Sequence, residues 1–151
     1  MRIRELMTRD PCCCTPSDSA QRAGALMRRF DVGVLPIVDD EYYRRLLGIV
    51  TDRDLCLAVL VPDRRPSEVT VEECMLRNPV CCSPDDEVHT AVQLMRTHHV
   101  RRLPVVNAHG FLVGMMSLTD LIRHHAISDA DLETAMECLS LPPELVPPPR
   151  A

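Results

Sequence analysis

The chain carries the same hydroxyl and carboxylate spacing twice, in the phrases GIVTDRDL and GMMSLTDL. Thr51 precedes Asp54 by three residues, and Ser117 precedes Asp120 by three residues. This spacing is typical of a capping box, in which both side chains bond free backbone N–H groups where a helix begins. The same groups also suit a ligand, because a carboxylate can accept two hydrogen bonds from a cis-diol and a helix N-terminus can bind phosphate. The residues alone leave both interpretations open.

The eight cysteines are the other side chains with chemical potential, and five of them lie in two runs, at 12–14 and 81–82. There is no C-x-x-C motif, and adjacent cysteines are poor joint ligands of one tetrahedral zinc ion. One interpretation is that Cys14 and Cys82 replace valine or alanine in short buried strands. The other is a redox or metal site, which nearby histidines at 98–99 and 124–125 would complete.

No recognised catalytic motif is present. The sequence has no G-x-S-x-G, no phosphate-binding loop ending in G-K-[ST] and no H-E-x-x-H. Asp52, Asp54 and Asp120 offer carboxylates, but no nucleophile or base is paired with them in the sequence. We therefore expect a protein that is not an enzyme, with no catalytic residues and no bound metal.

Composition limits the partners and the location. The net charge is −5, without the basic stretches of a nucleic-acid-binding protein. The longest apolar run, residues 55–61, is too short to span a membrane, and MRIRELMTRD lacks the apolar stretch of a signal peptide. We expect a cytoplasmic protein that binds neither nucleic acid nor membrane.

The repeated phrase belongs to a longer internal duplication. The second copy is two residues shorter in the region that corresponds to residues 39–45. Matched positions on either side of this difference are Met7 with Met75, Pro11 with Pro79, Cys14 with Cys82, Pro16 with Pro84, Met27 with Met95, Pro36 with Pro104, Gly48 with Gly114 and Asp54 with Asp120. Such a series in register indicates duplication of one structural unit.

Each copy predicts the element order β-α-β-β-α. A short extended piece, at 11–15 or 79–83, comes first. A helix then begins at Thr15-Pro16 or Ser83-Pro84, where the hydroxyl is the N-cap and proline takes the first position. Two strands follow, VLPIVD and LLGIVT or RLPVVN and LVGMMS, and then a second helix at 52–61 or 119–125. The predicted fold class is α+β, with two such units packed about a pseudo-twofold axis.

Each of the two units contains L-P-[IV]-V followed by G-x-x-[ST]-x-x-D. Together they resemble a tandem pair of CBS domains, the modules named after cystathionine β-synthase. The type that the chain resembles is the stand-alone bacterial protein. The resemblance places repeat 1 at 1–61, a linker at 62–70 and repeat 2 at 71–126. Residues 127–151 remain as a helix, which Ser128 would cap, and a proline-rich tail.

The resemblance implies a non-catalytic regulatory or sensor module that binds an adenosine-containing ligand in clefts between the repeats. AMP, ATP, NADH and S-adenosylmethionine all contain adenosine, and none is a required cofactor. The family also forms dimers, so a homodimer and an unidentified protein partner are expected. The alternative function is a metal- or redox-responsive structural dimer that binds no nucleotide.

In the ligand-binding interpretation, the aspartates of the repeated phrase bind ribose and Gly48 or Gly114 lets the backbone approach the ligand. Arg101-Arg102, which correspond to Gly33-Val34, meet phosphate in the second copy only, unless they are simply solvated. The apolar candidates for the adenine ring are equally compatible with strand core. The full set of ligand-binding candidates is Thr15, Val34, Leu35, Thr51, Asp54, Ser83, Arg101, Arg102, Leu103, Ser117 and Asp120.

Overall fold

The structure is a computed structural model that describes residues 1–140. Its main elements are β1 (Thr8–Arg9), α1 (Ala20–Phe30), β2 (Val34–Val38), β3 (Leu46–Thr51), α2 (Asp52–Leu60), β4 (Leu76–Arg77), α3 (Val88–His98), β5 (Arg102–Val106), β6 (Leu112–Ser117), α4 (Leu118–Arg123) and α5 (Asp129–Ser140). The mixed helices and sheets confirm the α+β class. The proline-rich tail predicted at 141–151 lies outside the described residues. Within residues 1–140, every helix falls short of the length or apolar content that a bilayer-spanning segment requires.

The described elements form two compact units, each with a three-stranded sheet. The first unit consists of Asp10–Pro79 with Ala108–Leu112, and its strand order is β2-β3-β4. The second unit consists of Met1–Arg9, Val80–Asn107 and the chain from Val113 onward, and its order is β1-β6-β5. Repeat 1 of the sequence contains β1, but the first compact unit contains β4 in its place. Repeat 2 contains β4, but the second compact unit contains β1.

The core of the first unit is built around the wholly buried strand β2. β2 pairs antiparallel with β3, with Val34 opposite Thr51, and β3 pairs antiparallel with β4. Cys14 adds a single parallel bridge to Ile37. The apolar faces of α1 and α2 complete a core that is aliphatic, as the low aromatic content predicts.

The second unit repeats this arrangement and adds helix α5. Ser128 Oγ accepts a hydrogen bond from the Asp131 N–H at 3.1 Å, which confirms the predicted cap. Ala135 is 2% exposed and belongs to the same hydrophobic cluster as Ala91 and Val92. Helix α5 is therefore part of the core of the second unit.

The predicted start of the first helix in each repeat is wrong. Helix α1 begins at Ala20 with Ser19 as its N-cap, several residues after Thr15. The Thr15 N–H instead donates to Asp18 Oδ2 at 2.8 Å, and the Ser83 N–H donates to Asp86 Oδ2 at 2.8 Å. An aspartate three residues after the hydroxyl residue folds this stretch into a turn, because its carboxylate accepts from the backbone N–H of that residue while its own N–H donates to the carbonyl of that residue. The predicted strands at 11–15 and 79–83 are likewise reduced to single bridges, at Cys14 and Cys82.

Candidate functional site

The repeated phrase forms a complete capping box at the start of α2. Thr51 donates to Asp54 Oδ2 from its backbone N–H at 2.9 Å and from its hydroxyl at 2.8 Å. In return, the Asp54 N–H donates to Thr51 Oγ1 at 3.2 Å. The predicted box is confirmed, and Asp54 Oδ1 takes no part in it.

The second repeat builds the same box at the start of α4. The backbone N–H and hydroxyl of Ser117 donate to Asp120 Oδ2 at 3.3 and 2.5 Å. The Asp120 N–H donates to Ser117 Oγ at 3.1 Å. Both boxes therefore hold one carboxylate oxygen in place and leave the second oxygen for another partner. The capping and ligand-binding interpretations are geometrically compatible.

The correspondence between Gly33 and Arg101 is preserved in the backbone beside each box. The Gly33 carbonyl accepts from the Asp52 N–H at 3.1 Å, and the Arg101 carbonyl accepts from the Leu118 N–H at 2.9 Å. In the first unit this contact gathers Val34, Thr51 and Asp54 at one end of the β2–β3 pair. In the second unit it brings the Arg101-Arg102 pair to the residues of the other box.

The two ends differ in charge. In the first unit, a Cβ atom on residue 33 would lie 3.2 Å from Asp52 Oδ2, so the carboxylate of Asp52 covers the position of the missing side chain. In the second unit the same position on the helix holds Leu118, which is buried, while Arg101 and Arg102 are exposed. Sequence reasoning did not include Asp52 among the site residues, although the exchange of Asp52 for Leu118 between the copies was a signal for it.

Thr15 lies beside the end of β2 that is farther from the capping box of its unit, and Ser83 lies beside the corresponding end of β5. Cys14 bridges to Ile37 in parallel, so Thr15 follows beside Val38 at the far end of β2. Four residues of strand separate that end from Val34, which is about 13 Å. Ser83 has the same relation to β5, through the bridge from Cys82. Within its own unit, neither hydroxyl is brought to the capping box.

The apolar candidates are buried in their own strands. Leu35 and Leu103 have no exposed surface, and each belongs to the hydrophobic core of its unit. Val34 is buried as well. Their positions agree with the strand-core interpretation.

The repeated glycines serve the sheets. A Cβ atom on residue 114 would lie 2.6 Å from Sδ of Met7, which directly precedes β1, and 3.0 Å from the carbonyl oxygen of Thr8 in β1. Gly48 makes the equivalent approach to β4. Both glycines are therefore required for the close packing of a third strand, and the expectation that they let the backbone approach a ligand stays a prediction.

Burial keeps the strand cysteines protonated. It raises the pKa of the Cys14 and Cys82 thiols to about 12 each. It also raises the pKa of Cys12, Cys13 and Cys81. A thiol is a nucleophile in its thiolate form, so burial disfavours these cysteines as nucleophiles. Within residues 1–140, no group of three or more histidine, cysteine or acidic side chains is arranged to hold a metal ion.

Comparison with known proteins agrees with this architecture. Hypoxic response protein 1 of Mycobacterium tuberculosis is 32% identical over 127 residues, which are 82% of this chain and 87% of that protein. A crystal structure of Hypoxic Response Protein I with two coordinated zinc ions has a TM-score of 0.73, with 29% identity over 82% of this chain and 98% of that one.

Two further solved structures contain adenosine compounds. CBSX2, a CBS-pair protein from Arabidopsis thaliana, was solved in complex with AMP. That complex is 27% identical, with a TM-score of 0.70 over 83% of this chain and 96% of its own. The CBS domain pair of protein MJ0100, in complex with 5′-methylthioadenosine and S-adenosyl-L-methionine, is 25% identical, with a TM-score of 0.72 over 83% and 96%.

The family comparison covers both repeats. The CBS domain matches residues 3–61 and again residues 71–126. These two segments contain both capping boxes and both sets of core strands. This chain belongs to the CBS domain family.

Proposed function

We propose that this protein is a non-catalytic regulatory module that binds an adenosine-containing nucleotide at the capping-box ends of its units. The observation that carries the proposal is the pair of aspartates whose Oδ2 atoms are fixed by Thr51 and Ser117 while their Oδ1 atoms take no part in the box. A carboxylate held in one orientation can receive ribose hydroxyls without first losing conformational freedom. AMP, 5′-methylthioadenosine and S-adenosylmethionine, which related structures contain, share adenosine as their common part.

Regulation would follow from differential binding. A nucleotide that binds one conformation of the module more tightly shifts the population toward it, and an unidentified protein partner responds to that conformation. In this proposal the module is a cytoplasmic homodimer and the nucleotide is its signal.

The test separates ribose binding from helix capping. Calorimetry and thermal-shift assays with AMP, ATP, NADH and S-adenosylmethionine compare the wild type with Asp54→Asn and Asp120→Asn. Thr51 and Ser117 remain the N-caps, and an asparagine three residues later can still accept through its amide oxygen, so each variant should lose about 1 kcal/mol of unfolding free energy or less. Each should nevertheless lose nucleotide binding at its own site, because an amide lacks the charge and the second acceptor oxygen.

The chain provides a matched control for this test. Glu73 forms a third capping box, in which the Thr70 N–H donates to Glu73 Oε2 at 2.7 Å, outside the repeated phrase. Glu73→Gln should leave nucleotide binding unchanged. The absence of heat and of any thermal shift with all four nucleotides would reject the proposal for this panel.

The alternative of a metal- or redox-responsive dimer is favoured by one observation, the zinc ions in the structure of Hypoxic Response Protein I. Native mass spectrometry of freshly purified protein distinguishes the two functions. A mass increase equal to bound zinc would support the alternative, and co-purified nucleotide would support the module.

A further inference from the structure

Two methionines at matched positions of the repeats lie against glycines of the sheets. In the second unit, a Cβ atom on residue 114 would be 2.6 Å from Sδ of Met7 and 3.0 Å from its Cγ. In the first unit, a Cβ atom on residue 48 would be 3.3 Å from Sδ of Met75. Each thioether therefore fills the space beside a glycine of β6 or β3. We call Met7 and Met75 the sheet methionines.

The sheet methionines anchor short strands that have no buried side chain of their own. β1 begins directly after Met7, β4 begins directly after Met75, and both residues of each strand are exposed. Each of these strands pairs with its neighbour through two residues only. Met7 and Met75 pack against the hydrophobic core of their respective units. They are therefore the apolar attachment that lies closest in sequence to each strand.

The backbone leaves each sheet methionine little room to withdraw. The Met7 N–H donates to the Ile3 carbonyl at 2.9 Å, and the Met75 N–H donates to the Val71 carbonyl at 2.9 Å. Ile3 and Val71 are fully buried, and each begins a short 3₁₀ turn. The turn therefore fixes the position of the methionine as well as the start of the strand.

Both sulfur atoms belong to side chains that solvent can reach. Met7 and Met75 are partly exposed, whereas Met95 and Met116 are 2% and 0% exposed in the core of the second unit. A thioether reacts without losing a proton, so the low thiolate content that protects the buried cysteines gives no protection here. The sheet methionines thus combine access for a small oxidant with a structural role.

We infer that Met7 and Met75 are peroxide-sensitive modification sites whose oxidation to the sulfoxide detaches β1 and β4 from their sheets. The thioether sulfur attacks one oxygen of a hydroperoxide, and the O–O bond breaks as the S–O bond forms. The proton on the transferred oxygen passes to the departing oxygen, which leaves as water or an alcohol. The sulfur loses two electrons, and the hydroperoxide gains them.

The added oxygen is what disturbs the sheet. Oxidation converts an apolar side chain into a polar one, and the new oxygen must enter the space beside the glycine or be buried without a hydrogen-bond donor, which is unfavourable. With only two paired residues in each strand, little else holds the strand in place. The inference does not depend on the proposed nucleotide site, because neither methionine belongs to a capping box.

Peroxide titration of the full-length protein tests the inference. Wild type is compared with Met7→Leu/Met75→Leu and with the control Met115→Leu, which removes a partly exposed methionine of β6 outside these contacts. Leucine is close to methionine in volume, so the variants keep the packing. A dithiol added after the peroxide reverses disulfides and sulfenic acids of the cysteines. Peptide mass spectrometry then measures methionine sulfoxide at each position.

We expect oxidised wild type and oxidised Met115→Leu to lose several degrees of melting temperature, while the double variant keeps its melting temperature after the same treatment. Amide hydrogen exchange in oxidised wild type should become faster in β6 and β3, because the groups that pair with β1 and β4 lose their partners. The single variants assign the effect to one unit: Met7→Leu should protect β6 alone, and Met75→Leu should protect β3 alone. Methionine sulfoxide reductases should restore the wild-type melting temperature.

Three results would overturn the inference. The first is wild type that carries sulfoxide at residues 7 and 75 but melts and exchanges as before. The second is a double variant that loses as much melting temperature as wild type under peroxide. The third is oxidation of Met7 and Met75 that is as slow in the folded protein as oxidation of the buried Met95 and Met116.

Discussion

Gly48 lies so close to strand β4 that a Cβ atom on this residue would be 2.5 Å from the carbonyl oxygen of Leu76. An alanine here must push β4 away, and overpacking of this kind costs about 1–3 kcal/mol. We therefore predict that Gly48→Ala lowers the free energy of unfolding measured by urea denaturation. Gly24, in the middle of α1, has nothing within 4 Å of its missing Cβ. Gly24→Ala should raise stability by about 0.5–1 kcal/mol, and equal effects of the two changes would contradict this account.

The charge difference between the two capping-box ends predicts unequal sites. Arg101 and Arg102 are exposed beside the second box, whereas Asp52 occupies the corresponding region of the first unit. Arg101→Ala or Arg102→Ala should weaken one of two ATP-binding events seen by calorimetry and leave the other unchanged. Adenosine, which has no phosphate, should show little response to either change. A uniform loss of affinity at both sites would be evidence against this assignment.

The buried thiols predict selective alkylation. The pKa of Cys14 and of Cys82 is raised to about 12 by burial, so at pH 8 almost none of either thiol is ionised. Cys56 is exposed on α2. Brief treatment with iodoacetamide, followed by peptide mass spectrometry, should label Cys56 first and the other two only after unfolding. Equal labelling rates in the native protein would be incompatible with the burial described.

The same pKa shifts predict how stability depends on pH. The thiol pKa is higher in the folded state than its ordinary value of 9.0, so the folded state favours the neutral form. This contribution to stability is fully present below pH 9 and is lost as the pH rises toward 12. Replacing both Cys14 and Cys82 by alanine should flatten the pH dependence of the urea midpoint in that range.

Helix α2 presents an apolar surface that suits the proposed homodimer. Leu57 and Leu60 are 48% and 68% exposed, whereas Leu121 on α4 is fully buried in the core of the second unit. Leu60→Asp should convert a dimer to a monomer in sedimentation experiments without lowering the melting temperature. Leu121→Asp is unsuitable because it would unfold the core. The control is Leu132→Asp on α5, which should leave the dimer intact. A wild type that sediments as a monomer at micromolar concentration would refute the proposed dimer.

The elements predicted best are those whose signals are local and duplicated. The second helix of the first repeat begins at the predicted capping box because Asp54 accepts from the Thr51 N–H while Thr51 Oγ1 accepts from the Asp54 N–H, so both side chains bond backbone groups of the first turn. The first helix of repeat 1 begins later than predicted, because Thr15-Pro16 and Ser19 both resemble helix starts. At the first of these the Asp18 N–H donates to the Thr15 carbonyl oxygen and closes a turn, a contact that a hydrophobic pattern does not show.

The strands β1 and β4 could not be predicted, because two residues carry no detectable periodicity and their partners lie far away in sequence. Gly114 marked the need for a close approach but not the identity of the approaching strand. The charge difference around Arg101 could be predicted from the alignment of the repeats. The position of Asp52 over Gly33 required the backbone contact between them.

The exchange of short strands has a consequence for how the chain can be divided. β1 belongs to the unit that holds most of repeat 2, and β4, its counterpart after the linker, belongs to the unit that holds most of repeat 1. Fragments 1–70 and 71–151 would each carry the strand that the other requires. Each fragment alone should therefore expose an unpaired sheet edge, and mixing the two should restore cooperative melting. This is the connectivity of a domain-swapped dimer joined into one polypeptide.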